Sequence, residues 1–222
     1  MAHVGHPFVE FEMSTIHKFL ALVALGALSA ASFAETRTIR YDKTALGEGV
    51  KIKYNGNTMS VFAGELEFLD VTANQKFKSY CVDLDHMISH GDTYQVDVSN
   101  TVNDPTFSLA GSVYANSQAS VATDTNAAAL QVAIWAARYG TDLTTNTGSF
   151  KLDNTWYSSH TNVVTAAIAM FNQGQNHLMD ARLLKSTDGC PPGQSQLTPV
   201  PEPASMGALG LGLLGMLKRR KK

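Results

Sequence analysis

The chain has 222 residues, of which 44% are hydrophobic and only 16% charged. That composition excludes a coiled coil, a collagen-like chain and a disordered charged tail, and suits an exported globular domain. Two cysteines cannot build a disulfide-dense scaffold or a structural zinc site by themselves, and a net charge of -2 with a basic extreme tail is not a nucleic-acid-binding signature.

The first 34 residues read as a secretory signal peptide. Lys18 supplies the positive n-region, Phe19 to Leu28 the apolar run, and Ser32-Phe33-Ala34 the small residues before a cut after Ala34. Met13 is the better start, because Met1 to Glu12 adds Glu10 and Glu12 where basic charge is expected. The mature domain is then about 35–185. Its first half reads as strands: Thr36–Tyr41, then Val50–Tyr54, where Val50, Ile52 and Tyr54 alternate. Asn55-Gly56 follows, the strongest short hairpin signal, and Thr58–Phe62 returns. Glu65–Val71, Phe77–Leu84 and Tyr94–Val98 continue the set. Its second half is helical. Ala127–Tyr139 has Thr123, Asp124 or Thr125 as a cap and Gly140 as a stop, and Thr161–Gln173 puts Val164, Ile168 and Phe171 on one face. Leu178–Leu184 reads as a closing strand. The expected fold class is α+β, an antiparallel β-sandwich or barrel with a helical subdomain.

Residues 186–199, polar and rich in Pro and Gly, read as a linker. The tail has three parts: Val200-Pro201-Glu202-Pro203, an apolar Gly-rich stretch from Ala204 to Leu217, and the basic stop Lys218 to Lys222. The apolar stretch is short of the roughly 20 residues a spanning helix needs, and the basic cluster would stay on the cytoplasmic side. This layout, residues 200–222, resembles the PEP-CTERM sorting signal. The resemblance implies export in a Gram-negative bacterium, transient membrane anchoring, processing by an exosortase-type enzyme, and a destination at the cell surface or in the extracellular biofilm matrix.

Two residues inside the domain stand out. Cys81 sits in the strand pattern Tyr80-Cys81-Val82-Asp83. Gln131 sits in Leu130-Gln131-Val132-Ala133-Ile134-Trp135, with apolar residues on both helix faces beside it, so its amide is expected to meet protein rather than water. Together these segments resemble the thioester domains of bacterial surface adhesins, which carry an aromatic-Cys motif on a strand and an apolar-Gln-x-x-apolar-Trp motif on a helix. The family's intermediate Thr-Gln-x-Ala motif is absent, and Ser117-Gln118-Ala119 is a loose echo of it. The resemblance implies an internal thioester between Cys81 and Gln131, shielded from water by Tyr80 and Trp135. It implies covalent capture of an amine-bearing surface ligand, a lysine or polyamine, in adhesion. Such a single-turnover protein is not an enzyme and needs no cofactor or metal.

The same residues admit other readings. After export a Cys81–Cys190 disulfide is permitted, leaving a non-reactive structural matrix protein. Asp83, Asp85, His86 and His90 crowd behind Cys81. The four-residue spacing of the two histidines is a helical metal-ligand spacing, and either could act as a base toward Cys81. The segment reads instead as a loop leaving the strand, with Gly91-Asp92 as its turn.

Overall fold

The computed structural model describes residues 35–187 and 193–200. The signal peptide with its cleavage site and its start at Met13, Cys190, and the sorting segment from Pro201 onward lie outside the described residues.

Among the described residues, seven strands and four α-helices make up the domain. β1 (Glu35–Tyr54) and β2 (Asn57–Asp70) form a long hairpin, its turn carried by Asn55 and Gly56 at φ 49° and 80°. Those left-handed values are what a two-residue hairpin turn demands, and Asn-Gly supplies them at low cost. β3 (Gln75–Cys81), β4 (Thr93–Asn100), β5 (Phe150–Leu152), β6 (Arg182–Ser186) and β7 (Gln196–Thr198) complete the sheet. Every pairing is antiparallel. Followed in order, β1-β2-β3-β7-β6-β4 returns to β1, so six strands close a ring, and β5 adds to the far end of β1. Closure leaves those strands no free edge there. Ile39, Tyr41, Leu66, Phe68, Cys81, Tyr94, Val96, Val98 and Leu184 form one buried cluster drawn from the ring.

Beyond Gly47 and Gly64 the hairpin leaves the ring: residues 48–54 and 57–63 pair with each other and with β5 only. The two glycines are cross-strand partners at φ 149° and 152°, and a Cβ on either would lie 2.3 Å from a facing carbonyl oxygen. Glycine is the residue that permits this bend without breaking the strands. The outer half of the hairpin then packs, through Val50, Ile52, Tyr54 and Ala63, into a second apolar cluster shared with the helices.

Helix α1 (Pro105–Ser117) starts on Asp104, whose side chain accepts from the Thr106 N–H, with Pro105 in its first turn. Helix α2 (Asp124–Tyr139) is capped by Thr123, which accepts from the Asn126 N–H, and stops at Gly140 with φ 67°. Every residue from Ala127 to Ala136 is buried, which explains why this helix is Ala-rich with little amphipathic contrast. Asp124 also accepts from the Gly47 N–H at 3.0 Å, fixing the start of α2 to the bend in β1. Helices α3 (Asn154–Ser159) and α4 (Thr161–Asn176) follow, with α4 packed on α1 and α2.

The α+β class, with a closed antiparallel sheet and a helical layer, agrees with the sequence. Several details differ. The four strands expected over 36–71 are two continuous ones, because Gly47 and Gly64 bend the hairpin instead of ending it. The strand expected at Phe77–Leu84 ends at Cys81, and the closing strand lies at Arg182–Ser186 rather than Leu178–Leu184. Helices α1 and α3 had no counterpart in the reading. The reading of 186–199 as a linker is corrected: Gln194, Ser195, Gln196 and Thr198 are buried, and β7 is the strand that joins β3 to β6. Their polar side chains bond inside the protein. Gln196 Nε2 donates to the Gln194 side-chain oxygen at 3.2 Å, and the Ser79 hydroxyl donates to Gln196 Oε1 at 3.1 Å.

Candidate functional site

Cys81 is the last residue of β3 and belongs to the cluster of buried side chains from the ring, at 3% exposure. Gln131 lies in the middle of α2 at 1% exposure. The fold brings them together although they stand 50 residues apart. The Cys81 N–H donates to Gln131 Oε1 at 3.2 Å, and Gln131 Nε2 donates to the Cys81 carbonyl oxygen at 2.6 Å. The side-chain amide thus engages both backbone groups of Cys81, much as a neighbouring strand would. The expectation that the Gln131 amide meets protein rather than water holds, and its partner is the backbone that carries the sulfur.

The sulfur is held by the chain that follows. The Cys81 thiol donates to the Asp83 carbonyl at 2.8 Å, and the Asp83 N–H points back to Sγ at 3.2 Å. Burial pushes the thiol far above its usual pKa, so it is neutral at physiological pH. The Trp135 indole N–H makes no geometric hydrogen bond, yet it lies close enough to Sγ to oppose that rise in small part. Trp135 is 2% exposed, and its unpartnered donor is therefore buried beside Cys81 and Gln131.

Cys81, Gln131 and Trp135 share one small cavity of about 100 Å³, lined further by Tyr41, Phe62, Leu66 and the loop residues Met87 and Ile88. No charged side chain lines it among the described residues. Met87, largely exposed, stands at its rim. The loop is tied down by Gln194, whose Nε2 donates to the Asp83 and His86 carbonyls at 3.1 and 2.9 Å. Sequence reasoning missed Gln194 and also Gln196, which sits directly across from Cys81 in the β3–β7 register. Both lie in the stretch read as a linker, where glutamine has no apolar pattern around it to betray burial.

Tyr80 does not line the cavity. It precedes Cys81 on the strand, so it points to the opposite face, where its ring lies 5.8 Å from that of Tyr114. Its expected shielding role at the pair is corrected on that ground; of the two expected shielding residues, Trp135 lines the cavity. Cys81 is a free thiol in the structure, and its expected disulfide partner Cys190 lies outside the described residues. His86 and His90 are on a loop, not a helix, so their spacing does not place them on one face. His86 Nδ1 pairs with Asp83 Oδ2 at 2.5 Å, and no group of three metal-binding side chains occurs among the described residues.

Residues 199–222 match the family of the PEP-CTERM protein-sorting motif. No curated protein and no solved structure matches the chain. The motif marks an exported protein whose C-terminal segment anchors it at the membrane for processing by an exosortase-type enzyme. Among the described residues, no helix is long and apolar enough to cross a membrane.

Proposed function

We propose that this exported protein works at the cell surface or in the extracellular matrix of a Gram-negative bacterium, and that Cys81 and Gln131 form an internal thioester that captures an amine covalently. The observation that carries the reading is the buried Gln131 amide, bonded in both directions to the backbone of Cys81.

The chemistry follows from that arrangement. Attack of Sγ on the Gln131 side-chain carbon forms a C–S bond and breaks the C–N bond. Ammonia leaves with the thiol proton. The oxygen that gains charge is Oε1, which already accepts from the Cys81 N–H, the kind of donor an oxyanion needs. Holding sulfur and amide together supplies a large effective concentration. An incoming amine then forms an amide to Gln131, breaks the C–S bond and returns its proton to the sulfur. A lysine or polyamine fits this role, and adhesion within a biofilm matrix is the resulting use. The uncharged cavity, with Trp135 in its wall, keeps hydrolytic water scarce.

A second reading rests on a specific observation as well. The two hydrogen bonds already satisfy the Gln131 amide, and burial holds the thiol protonated, so the pair also serves as a purely structural clamp. Cys81 then remains a thiol, or bridges to Cys190 in a non-reactive matrix protein. Intact mass of the mature domain separates the three. The thioester predicts a mass one ammonia below the sequence, with methylamine adding to it and freeing one thiol; Cys81→Ala and Gln131→Ala abolish both effects. The disulfide predicts the loss of two hydrogens, restored by reductant. An unmodified mass, with Cys81 alkylated only on unfolding, refutes covalent capture.

A further inference from the structure

On the face of β3 opposite Cys81 lies a groove of about 460 Å³, within the usual range for small-ligand sites. Its walls include Phe77, Tyr80, Tyr114, Gln118 and Thr198. We propose that this groove binds a neutral polyhydroxylated ring, a pyranose unit of a glycan.

Three observations converge. First, Tyr80 is 3% exposed, and its hydroxyl is buried with no hydrogen-bond partner. An orphaned buried hydroxyl is costly, and it is satisfied by a ligand group that both donates and accepts, as a sugar hydroxyl does. Second, the groove offers aromatic surface. Tyr80 and Tyr114 stand 5.8 Å apart with their rings tilted, so the apolar C–H face of a pyranose finds a matching wall. Third, the rim is electrically spent. Glu65 is paired with Lys78 at 2.7 Å, and Glu67 with Lys76 at 2.9 Å. An ammonium or a phosphate arriving here would have to break one of these pairs, while a neutral polyol need not. Among the described residues the Gln118 side-chain amide, which lines the groove, has no hydrogen-bond partner and is available to sugar hydroxyls.

Affinity electrophoresis tests this on the mature domain carrying Cys81→Ala, which removes covalent capture from the measurement. The native gels contain dextran, hydroxyethylcellulose or galactomannan as neutral probes, and alginate or chitosan as charged ones. Retardation in at least one neutral polymer is expected. Tyr114→Ala should weaken it about tenfold, the scale of one lost aromatic contact. Because Tyr114 is buried, Gln118→Ala at the rim serves as the second variant, with thermal unfolding checking that both fold. No retardation in any neutral polymer, retardation only by a charged polymer, or retardation unchanged in both folded variants overturns the proposal.

Discussion

Replacing Gln131 by leucine in a Cys81→Ala background isolates what the amide does without covalent chemistry. Leucine is close to glutamine in volume, so no large cavity opens. What changes is that the Cys81-position N–H and C=O, both engaged by the amide at 3.2 and 2.6 Å, lose their partners inside the protein. An unpaired buried polar group costs about 1–3 kcal/mol, so the two together cost about 2–6 kcal/mol. Domains of this kind have about 5–15 kcal/mol in total. Urea unfolding followed by the fluorescence of Trp135 and Trp156, both buried, reads the loss directly. Gln131→Glu in the same background adds a pH signature. Its neutral carboxyl can donate to the backbone carbonyl as the amide does, whereas the ionised form cannot, so folding raises its pKa above the unfolded value of about 4.3. Stability is then fully present below that unfolded value and is lost as pH rises through the folded pKa. The deficit relative to the parent should be largest near neutrality and shrink toward pH 4. A Gln131→Leu variant within about 0.5 kcal/mol of its background, the scatter of ordinary surface changes, would refute the two-way clamp.

Alkaline stability distinguishes a thiol from a thioester. A free Cys81 thiol, raised by burial, contributes stability that is present below its unfolded pKa of about 8.5 and lost above it, so the parent should lose Tm faster than Cys81→Ala as pH rises from 8 to 10. A thioester has no thiol to titrate, and the two slopes should then coincide. Gly47→Ala should destabilise by several kcal/mol, since it meets both a left-handed φ of 149° and a carbonyl 2.3 Å from the new carbon, whereas Gly49→Ala, with open space around it, should stay within about 1 kcal/mol in the same urea assay. Thr123→Ala should cost about 1 kcal/mol through loss of the α2 cap. Truncation after Val200 should leave a cooperative thermal transition, and truncation after Gly193 should abolish it by removing β7; a folded product of the second cut would refute the closed ring.

How far the sequence reaches is visible in particular residues. Asn55-Gly56 announces its hairpin because only that local chemistry suits two left-handed positions. Ala127–Tyr139 is legible because its cap, stop and apolar run agree. Gln131 is legible as a buried amide because it has no polar neighbour on either face, although its partner is not, since that depends on how α2 lies against β3. Helix α1 is hidden by Ser, Gly and Asn, poor helix formers. Its Gly111 is there for packing: a Cβ would fall 2.1 Å from Thr101 Oγ1. The facing of Tyr80 and Cys81 follows from strand alternation once the strand is fixed, yet motif reasoning placed both at one site.

The position of β7 in the chain bears on how the protein is made. The strand ends at Thr198, and the sorting motif begins at residue 199. Five residues, 199–203, separate the final strand of the ring from the apolar stretch that begins at Ala204. β7 pairs β3 at Tyr80 and Cys81 and pairs β6 along its length, so it supports both faces of the proposed chemistry. Ring closure also spans most of the domain, with β1 at one end of the sequence and β7 at the other, and such non-local pairing is slow. The ring therefore closes only once nearly the whole chain has been exported, and until then Cys81 lacks the neighbours that bury it. In this chain the sorting motif begins at the residue after the final strand, so a cut upstream of residue 199 would shorten β7 and open the ring.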